Sequence, residues 1–504
     1  VSSRRRHTSF KCDWSSDVCS SDLPERCPQC GRKLLCANEA DMTGDDWTAL
    51  GNTLWDAEAS DKKRMVDCFR KAAYLGSAWG VCNLGICMEQ GNGVEADPVQ
   101  AFWLYQQAVE MGSLNAVCCL GVCYQYGIGT APDAEKAAEL YCKAAEYGSP
   151  RGQMLLARAF HDGIGVEADA AEAVHWVRAA AYQRYGEGMY RLGVCYEYGD
   201  GVEQNWEHAV HWFREAAESG VSVAMTDLGY CYEKGCGVEQ SWEQAFSWYR
   251  RGAECGYPVS MSNLGWCYKR GYGVEQNWQE AVKWYEQGAQ CGHLQSMHNL
   301  ACCYERGEGV EQNEERALYW YRRGAEAGSD YCMYCLGWNY SNGEGVEQNM
   351  TEAIRWYTAA AEGGNADAMH NLGWHYDHGE GVEQDMKKAI CWYERAAEQN
   401  HPAAMNSLGE CYAMGRGVPR DLETAMEWYR RAAELGEAMA DYNMGWHLEQ
   451  AGKLSEAYAH YRKAADGNDD SAWWALGRFY ENGVGPQGNR VDAAFGSSGE
   501  DFHR

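Results

Sequence analysis

The first residues in this chain that could carry chemistry are two cysteines near its start. The segment CPQCG begins at Cys27 and places Cys30 three residues later, with Gly31 free to make the turn between them. Two thiolates at this spacing can converge on one tetrahedral zinc ion. The sequence therefore predicts that Cys27 and Cys30 belong to a metal site, although two ligands do not complete it. A disordered leader with incidental cysteines is the alternative.

These cysteines stand in residues 24–46, ahead of the regular part of the chain. The segment is similar to the second half of a short bacterial zinc ribbon, a family that needs another CxxC pair, and that pair is absent from this part of the sequence. Residues 1–23 are polar and unperiodic, and they resemble translated sequencing-adapter sequence. We therefore expect 1–23 to be a non-native leader, the native N-terminus to be missing, and zinc to bind only in the native full-length protein.

Two further pairs have the spacing of ligands on one helical face. Cys332 and Cys335 are three residues apart, and so are His375 and His378. Neither pair has a third ligand that the sequence identifies. Ordinary variation between repeats is the preferred interpretation of both pairs, so no metal site is predicted there.

Asparagine and tryptophan recur on a helical face that is separate from the apolar one. Asn263 and Trp266 stand three residues apart, and the same pair recurs later in the chain. An asparagine amide can hold an extended peptide backbone through a donor and an acceptor together, and tryptophan supplies a large rigid contact area. The candidate binding residues are Asn263, Trp266, Asn299, Trp338, Asn371, Trp374, Asn443, Trp446 and Tyr230. The alternative is that each Asn meets a local hydrogen-bonding need and each Trp packs against the next repeat.

The elements that position these residues are pairs of helices that repeat every 36 residues. The first helix carries Leu264-Gly265 on its apolar face, and the second carries Trp284-Tyr285. A Gly-x-Gly turn connects them. Its first glycine recurs at Gly91, Gly127, Gly163, Gly199, Gly235, Gly271, Gly307, Gly343, Gly379 and Gly415. A helix pair of this kind buries its apolar faces only by stacking on its neighbours, so the sequence predicts an all-α solenoid.

The charge balance limits the kinds of partner. The 504 residues include 44 Lys+Arg and 73 Asp+Glu, a formal net charge of -29, which repels phosphate backbones. Nucleic acid is therefore not expected as a partner, whereas a basic protein is. No run of about 18 apolar residues is present, so no membrane span is predicted.

The 24 cysteines are frequent enough to raise the question of disulfides. Seven of them share one repeat position, two residues after the glycine of the first helix. Equivalent positions in stacked helices should be about 10 Å apart, beyond the roughly 7 Å between Cα atoms that a disulfide can bridge. We expect small buried hydrophobic residues in a reducing cytosol, hence a cytoplasmic protein. These cysteines are Cys87, Cys123, Cys195, Cys231, Cys267, Cys303 and Cys411.

The recurring LG, Y, GxGV, A, WY and AAE positions of residues 47–495 resemble the Sel-one-like repeat (SLR) family, relatives of tetratricopeptide repeats. The match comprises about 12 repeats, followed by a tail at 496–504. The resemblance implies a right-handed α/α superhelix in which the first helix of each pair lines a concave groove. It also implies a non-catalytic adaptor or scaffold, and the Asn and Trp residues above would then bind a peptide or protein segment in the groove.

Two other functions remain as alternatives. Some cysteine-rich members of the family are associated with hydrolysis of β-lactam-like substrates, and they carry a recurring disulfide between helices. At the matching positions this chain has alanines, such as Ala216-Ala217 and Ala396-Ala397, which argues against a hydrolase. The other alternative is a metal or redox sensor that uses the CPQC segment.

Overall fold

The computed structural model describes residues 42–55 and 59–481, and within those ranges the chain forms 25 α-helices and no β-strand. It divides into two compact units, 1–240 and 241–504, and each is described by itself. Both units consist of stacked helix pairs, so the predicted all-α solenoid is confirmed. The leader at 1–23, the zinc ligands Cys27 and Cys30, and the tail at 496–504 lie outside the described residues.

The helices follow one another as A helices (odd numbers) and B helices (even numbers). The first unit contains α1 (Gly44–Thr53), α2 (Ala59–Tyr74), α3 (Ala78–Gln90), α4 (Pro98–Glu110), α5 (Leu114–Tyr126), α6 (Ala134–Glu146), α7 (Pro150–Asp162), α8 (Ala170–Tyr182), α9 (Gly186–Tyr198), α10 (Trp206–Glu218) and α11 (Ser222–Lys234). The second unit contains α12 (Trp242–Glu254), α13 (Pro258–Arg270), α14 (Trp278–Gln290), α15 (Leu294–Arg306), α16 (Glu314–Glu326), α17 (Asp330–Asn342), α18 (Met350–Glu362), α19 (Ala366–His378), α20 (Met386–Glu398), α21 (Pro402–Met414), α22 (Leu422–Glu434), α23 (Ala438–Gln450), α24 (Leu454–Asp466) and α25 (Asp470–Glu481).

The Gly-x-Gly turn ends the A helices α3 to α21 and spaces each from the preceding B helix. Gly271 has φ +73° and its N–H donates to the Cys267 carbonyl, which closes the end of α13. Gly273 has φ +68°, and a Cβ there would lie 2.2 Å from the Trp242 carbonyl oxygen at the start of α12. Both glycines are therefore required, the first by the helix end and the second by close approach of two backbones.

The residues after the turn cap both helices of the pair. The Gln276 Nε2 donates to the Lys269 carbonyl at 2.7 Å and so satisfies a group at the C-terminus of α13. The next residue, Asn277, accepts a hydrogen bond from the Glu280 N–H at 3.0 Å and caps the N-terminus of α14. The recurring Glu-Gln-Asn sequence thus sets the ends of consecutive helices.

The core lies between the A and B helices of each pair. In nine of the described B helices a tyrosine is almost fully buried against the apolar face of the paired A helix. These tyrosines are Tyr105, Tyr141, Tyr249, Tyr285, Tyr321, Tyr357, Tyr393, Tyr429 and Tyr461. The tryptophan before this tyrosine is less completely buried. An arginine three positions on covers its ring at Trp248, Trp320, Trp392 and Trp428, as Arg251 does over Trp248 at 4.2 Å.

The repeated cysteine position is part of this core. Cys87, Cys123, Cys231, Cys267, Cys303 and Cys411 are buried thiols, and Cys195 is partly exposed. This placement agrees with the expectation of small buried hydrophobic residues. Among the helices of 42–55 and 59–481, none is long and apolar enough to cross a membrane.

Candidate functional site

The A helices of the second unit share a surface that faces away from the core. Neighbouring A helices approach each other directly, as α13 and α15 do. Side chains also join them, since the Asn443 Nδ2 on α23 donates to Asn406 Oδ1 on α21 at 2.9 Å and to Glu410 Oε1 at 3.3 Å. We call this surface the A face; its predicted binding residues are Asn263, Trp266, Asn299, Trp338, Asn371, Trp374, Asn443 and Trp446.

Three of the predicted tryptophans expose much of their side chains on the A face. The exposed fractions are 44% for Trp338, 36% for Trp374 and 45% for Trp446. The Trp374 indole stacks on the His378 imidazole with ring centroids 4.3 Å apart, and Trp446 meets His447 edge-on at 4.8 Å. These neighbours hold the rings in place while leaving indole surface available for contact.

Trp266 occupies the same repeat position but has a different environment. Its ring lies 5.7 Å from that of Trp242 and 4.9 Å from that of Tyr272, and it is only partly exposed. Trp242 and Tyr272 stack on each other at 4.3 Å. Trp266 therefore packs against the neighbouring helix pair, as the alternative interpretation of these tryptophans describes.

The predicted asparagines are half-buried and differ in their partners. Asn443 bridges to α21 as described above, and the Asn299 Oδ1 accepts a hydrogen bond from Gln295 Nε2 at 3.1 Å. Asn371 contacts the Tyr334 hydroxyl. The Asn263 amide makes no side-chain hydrogen bond with any residue that the structure describes, so it is available to a ligand. On the A face, the side chains of Asn299, Asn371 and Asn443 thus interact with other residues of the chain, whereas the Asn263 amide is left for a ligand.

Tyr230, the remaining predicted binding residue, belongs to the first unit and borders an acidic recess. A cavity of about 220 Å³ between α9 and α11 is lined by Tyr190, Glu197, Tyr198, Asp227 and Tyr230, among others. Burial raises the pKa of Glu197, and the Asp227 charge raises it further. Burial also raises the pKa of Asp227, against the effect of a hydrogen bond with Tyr190. We call this cavity the acidic recess.

The sequence analysis missed the two carboxylates of the acidic recess. A signal was nevertheless present, because Asp227 occupies the position that is asparagine in other repeats and precedes Leu228-Gly229 in the same way. Glu197 lies one helix pair earlier, three residues after Val194 on α9. Only the packing of α9 against α11 shows that the two side chains share one cavity.

A histidine network between α19 and α21 was also missed. The His370 and His401 rings stack with centroids 5.1 Å apart, and His401 Nε2 lies 3.1 Å from Asp367 Oδ1. His370 Nε2 lies 3.3 Å from Ser407 Oγ, whose hydroxyl donates to the Ala403 carbonyl at 3.0 Å. Because the Ser407 hydroxyl donates its proton to Ala403, the His370 imidazole is the donor in its hydrogen bond with Ser407. The network thus connects the two helices.

The two ligand-like pairs do not assemble a metal site. His375 is buried with Nδ1 3.1 Å from the Glu380 carbonyl, whereas His378 is exposed against Trp374. Cys332 is fully buried and Cys335 is partly exposed. Across the part of the chain that the structure describes, no group of three His, Cys, Asp or Glu side chains is placed to hold a metal ion.

Comparisons with known proteins place this geometry among repeat proteins. The family model described as Sel1 repeat matches residues 80–113, 116–149, 150–185, 186–221, 222–257, 258–293, 294–329, 330–365, 366–401, 402–437 and 438–469. One solved structure is that of c5321, a protective antigen that is present in uropathogenic Escherichia coli strains and displays an SLR fold. Its sequence is 33% identical; the match covers 82% of this chain and 90% of that one, with a TM-score of 0.58.

A second solved structure is a Sel1 repeat protein from Oxalobacter formigenes. It is 28% identical, the match covers 62% of this chain and 93% of that one, and the TM-score is 0.49. Among proteins with curated descriptions, none matches this chain.

Proposed function

This chain belongs to the Sel1 repeat family, whose solenoids are generally non-catalytic scaffolds for protein–protein interaction, and we propose that its A face binds an extended segment of a partner protein. The observation that supports this proposal is the row of exposed indoles at Trp338, Trp374 and Trp446. Large aromatic side chains that are held in place but accessible are the usual anchors of protein interfaces. Asn263 adds an amide that can pair with a peptide backbone.

The spacing of the indoles suggests the pattern of the bound segment. Trp338 and Trp374 come from successive A helices, and helix axes in contact are about 10 Å apart. An extended chain advances about 3.3 Å per residue, so two apolar side chains roughly three residues apart would contact these two indoles. Trp446 lies two A helices beyond Trp374, which corresponds to roughly six further residues.

The charge of the chain suggests that the partner is basic. The net charge is -29, and the acidic recess of the first unit holds two carboxylates without a cation between them. A positively charged partner would be attracted at long range and would be distinguished from nucleic acid, which the same field repels.

The proposal is tested with a triple variant of the exposed indoles, Trp338→Ala, Trp374→Ala and Trp446→Ala. Partners captured by wild-type protein are identified by mass spectrometry, and the affinity of a basic partner found in this way is measured by calorimetry. Loss of two or more anchors should weaken binding at least about 100-fold, because each anchor contributes roughly 2 kcal/mol.

A matched control removes exposed aromatic residues of B helices, with Trp103→Ala, Tyr182→Ala and Tyr319→Ala. This control should keep the wild-type affinity. Circular dichroism melts of both triple variants establish that they remain folded. An A-face variant that is folded and retains every wild-type partner would reject the proposal.

A further inference from the structure

Four side chains from three A helices of the first unit form a ring of polar contacts, three of which are hydrogen bonds. Asn115 Nδ2 on α5 lies 3.5 Å from Cys82 Sγ on α3. The Arg151 Nη1 on α7 donates to Asn115 Oδ1 at 2.6 Å and to Cys119 Sγ on α5 at 3.5 Å. Cys82 and Cys119, held by these hydrogen bonds to Asn115 and Arg151, lie near enough for each thiol to shift the pKa of the other, and this contact closes the ring. These cysteines occupy different repeat positions, so the spacing that keeps equivalent cysteines apart does not apply to them.

The ring places a guanidinium beside a thiol that can ionise. Arg151 has no carboxylate partner within the described residues, so its charge is available to a neighbouring thiolate. The hydrogen bond from Cys82, together with Arg151, lowers the pKa of Cys119 to about 7, whereas the pKa of Cys82 is raised. The other titratable groups that affect or surround Cys119 are Glu89, Tyr105, Cys118 and Cys123. Cys119 is thus the nucleophile of the pair, and Cys82 keeps its proton.

A small molecule can approach the ring along Arg151. Both thiols are buried, but Arg151 is partly exposed and lines a cavity of about 590 Å³ with Met154 and Leu155. Hydrogen peroxide is little larger than water, so movement of the Arg151 side chain would open a path from this cavity to Cys119.

We propose that Cys82 and Cys119 form a peroxide-reactive site in which oxidation links α3 to α5. The Cys119 thiolate attacks one oxygen of hydrogen peroxide, the O–O bond breaks, and the hydroxide that leaves takes up a proton to form water. The sulfur of Cys82 then attacks the resulting sulfenic acid, forms the disulfide and releases a second water. Peroxide gains two electrons, and the two thiols lose them.

The test exposes the reduced full-length chain to stoichiometric peroxide and maps the products by mass spectrometry after alkylation. Cleavage after glutamate separates the two cysteines, because Glu89, Glu95 and Glu110 lie between them. The expected product is a linked Cys82–Cys119 peptide and the loss of two thiols per chain. Cys119→Ser should abolish the link, and the matched control Cys118→Ser, which changes the adjacent residue, should preserve it.

The role of Arg151 is tested by Arg151→Met. Removing the guanidinium should slow formation of the link about fivefold at pH 7, because the smaller thiolate fraction outweighs the greater reactivity of a more basic thiolate. The pH at which the rate is half-maximal should also rise, a shift that a purely structural role would not produce. The proposal is overturned if the exposed Cys255, Cys291 and Cys391 become oxidised before any Cys82–Cys119 link appears, or if Arg151→Met leaves the rate and its pH profile unchanged.

Discussion

The Tyr285 ring occupies the space that a side chain on Gly265 would need. A Cβ built on Gly265 would lie 2.6 Å from Tyr285 Cε1, closer than real Cβ contacts come. The same relation joins the Leu-Gly glycine of other A helices to the buried aromatic residue of their B helices, for example Gly121 to Tyr141. The glycine and the aromatic residue therefore recur together, because each repeat needs the absence of a side chain at one position to accommodate the ring at the other.

Replacing this glycine should destabilise the second unit. Gly265→Ala forces Tyr285 or the backbone of α14 to move, and overpacking of this kind costs about 1–3 kcal/mol. Urea unfolding followed by circular dichroism measures the effect as a lower midpoint. Gly477→Ala is the matched control, because Gly477 belongs to the same Leu-Gly motif yet a Cβ there would meet nothing within 4 Å. It should be neutral or stabilise by about 0.5–1 kcal/mol, and an equal loss in both variants would contradict the packing argument.

The helix cap at Asn277 should be necessary for the start of α14. Asn277→Ala removes the acceptor for the Glu280 N–H, a change that typically costs about 1 kcal/mol. Hydrogen exchange should show faster exchange of the first amides of α14, with less change in the middle of the helix. Asn277→Asp retains an acceptor and should restore protection, so unprotected amides in that variant as well would argue against a capping role.

The sequence was sufficient to predict features that repeat and insufficient for features that do not. The 36-residue period places every Leu-Gly, Gly-x-Gly and Trp-Tyr position on its helix, because each pair meets the same neighbours. Trp266 and Trp338 share one repeat position, yet only Trp266 is covered, since Trp242 and Tyr272 stand beside it. Contacts of this kind depend on residues that vary between adjacent repeats.

The Cys82–Cys119 pair was unpredictable for the same reason. Equivalent positions of stacked repeats are 36 residues apart, whereas Cys82 and Cys119 are 37 residues apart and lie on neighbouring A helices. Asn115 and Arg151 do share one repeat position, 36 residues apart, and join their helices at 2.6 Å. At equivalent positions, long side chains thus bridge a spacing that two thiols cannot, whereas Cys82 and Cys119 meet from positions that are not equivalent.

The half-buried His370 should make the second unit less stable in acid. Burial and the neighbouring His401 lower the pKa of His370 to about 4, from a usual value near 6.5, although Asp367 and Asn371 act in the opposite direction. Between these values the unfolded chain binds a proton that the folded chain excludes, so stability falls as the pH decreases from about 6.5 to about 4. The loss should be of the order of 2–3 kcal/mol.

Unfolding midpoints at pH 7.5, 5.5 and 4.5 measure this dependence. His370→Gln removes one titrating group and should reduce the slope, whereas His378→Gln, which changes an exposed imidazole, should leave the slope of the wild type. Part of the slope remains in His370→Gln, because burial also lowers the pKa of His298, His375 and His447. An unchanged slope in His370→Gln would assign the acid sensitivity to those other groups.

The Asp227 carboxylate of the acidic recess should lower the free energy of unfolding at neutral pH. Because burial raises the pKa of Asp227, the folded chain retains a proton that the unfolded chain loses as the pH increases above about 4, and ionised Asp227 therefore destabilises the fold at neutral pH. Asp227→Asn removes that charge and should raise the unfolding midpoint at pH 7, with a smaller difference at pH 4.

The same variant should weaken binding of a basic partner by roughly 10-fold, since one of two carboxylates in the recess is lost. Glu203→Gln, which removes a charge from an exposed loop, is the matched control and should change neither quantity appreciably. If Asp227→Asn lowers the midpoint at pH 7, the carboxylate is part of the structural framework and the acidic recess is not a binding feature.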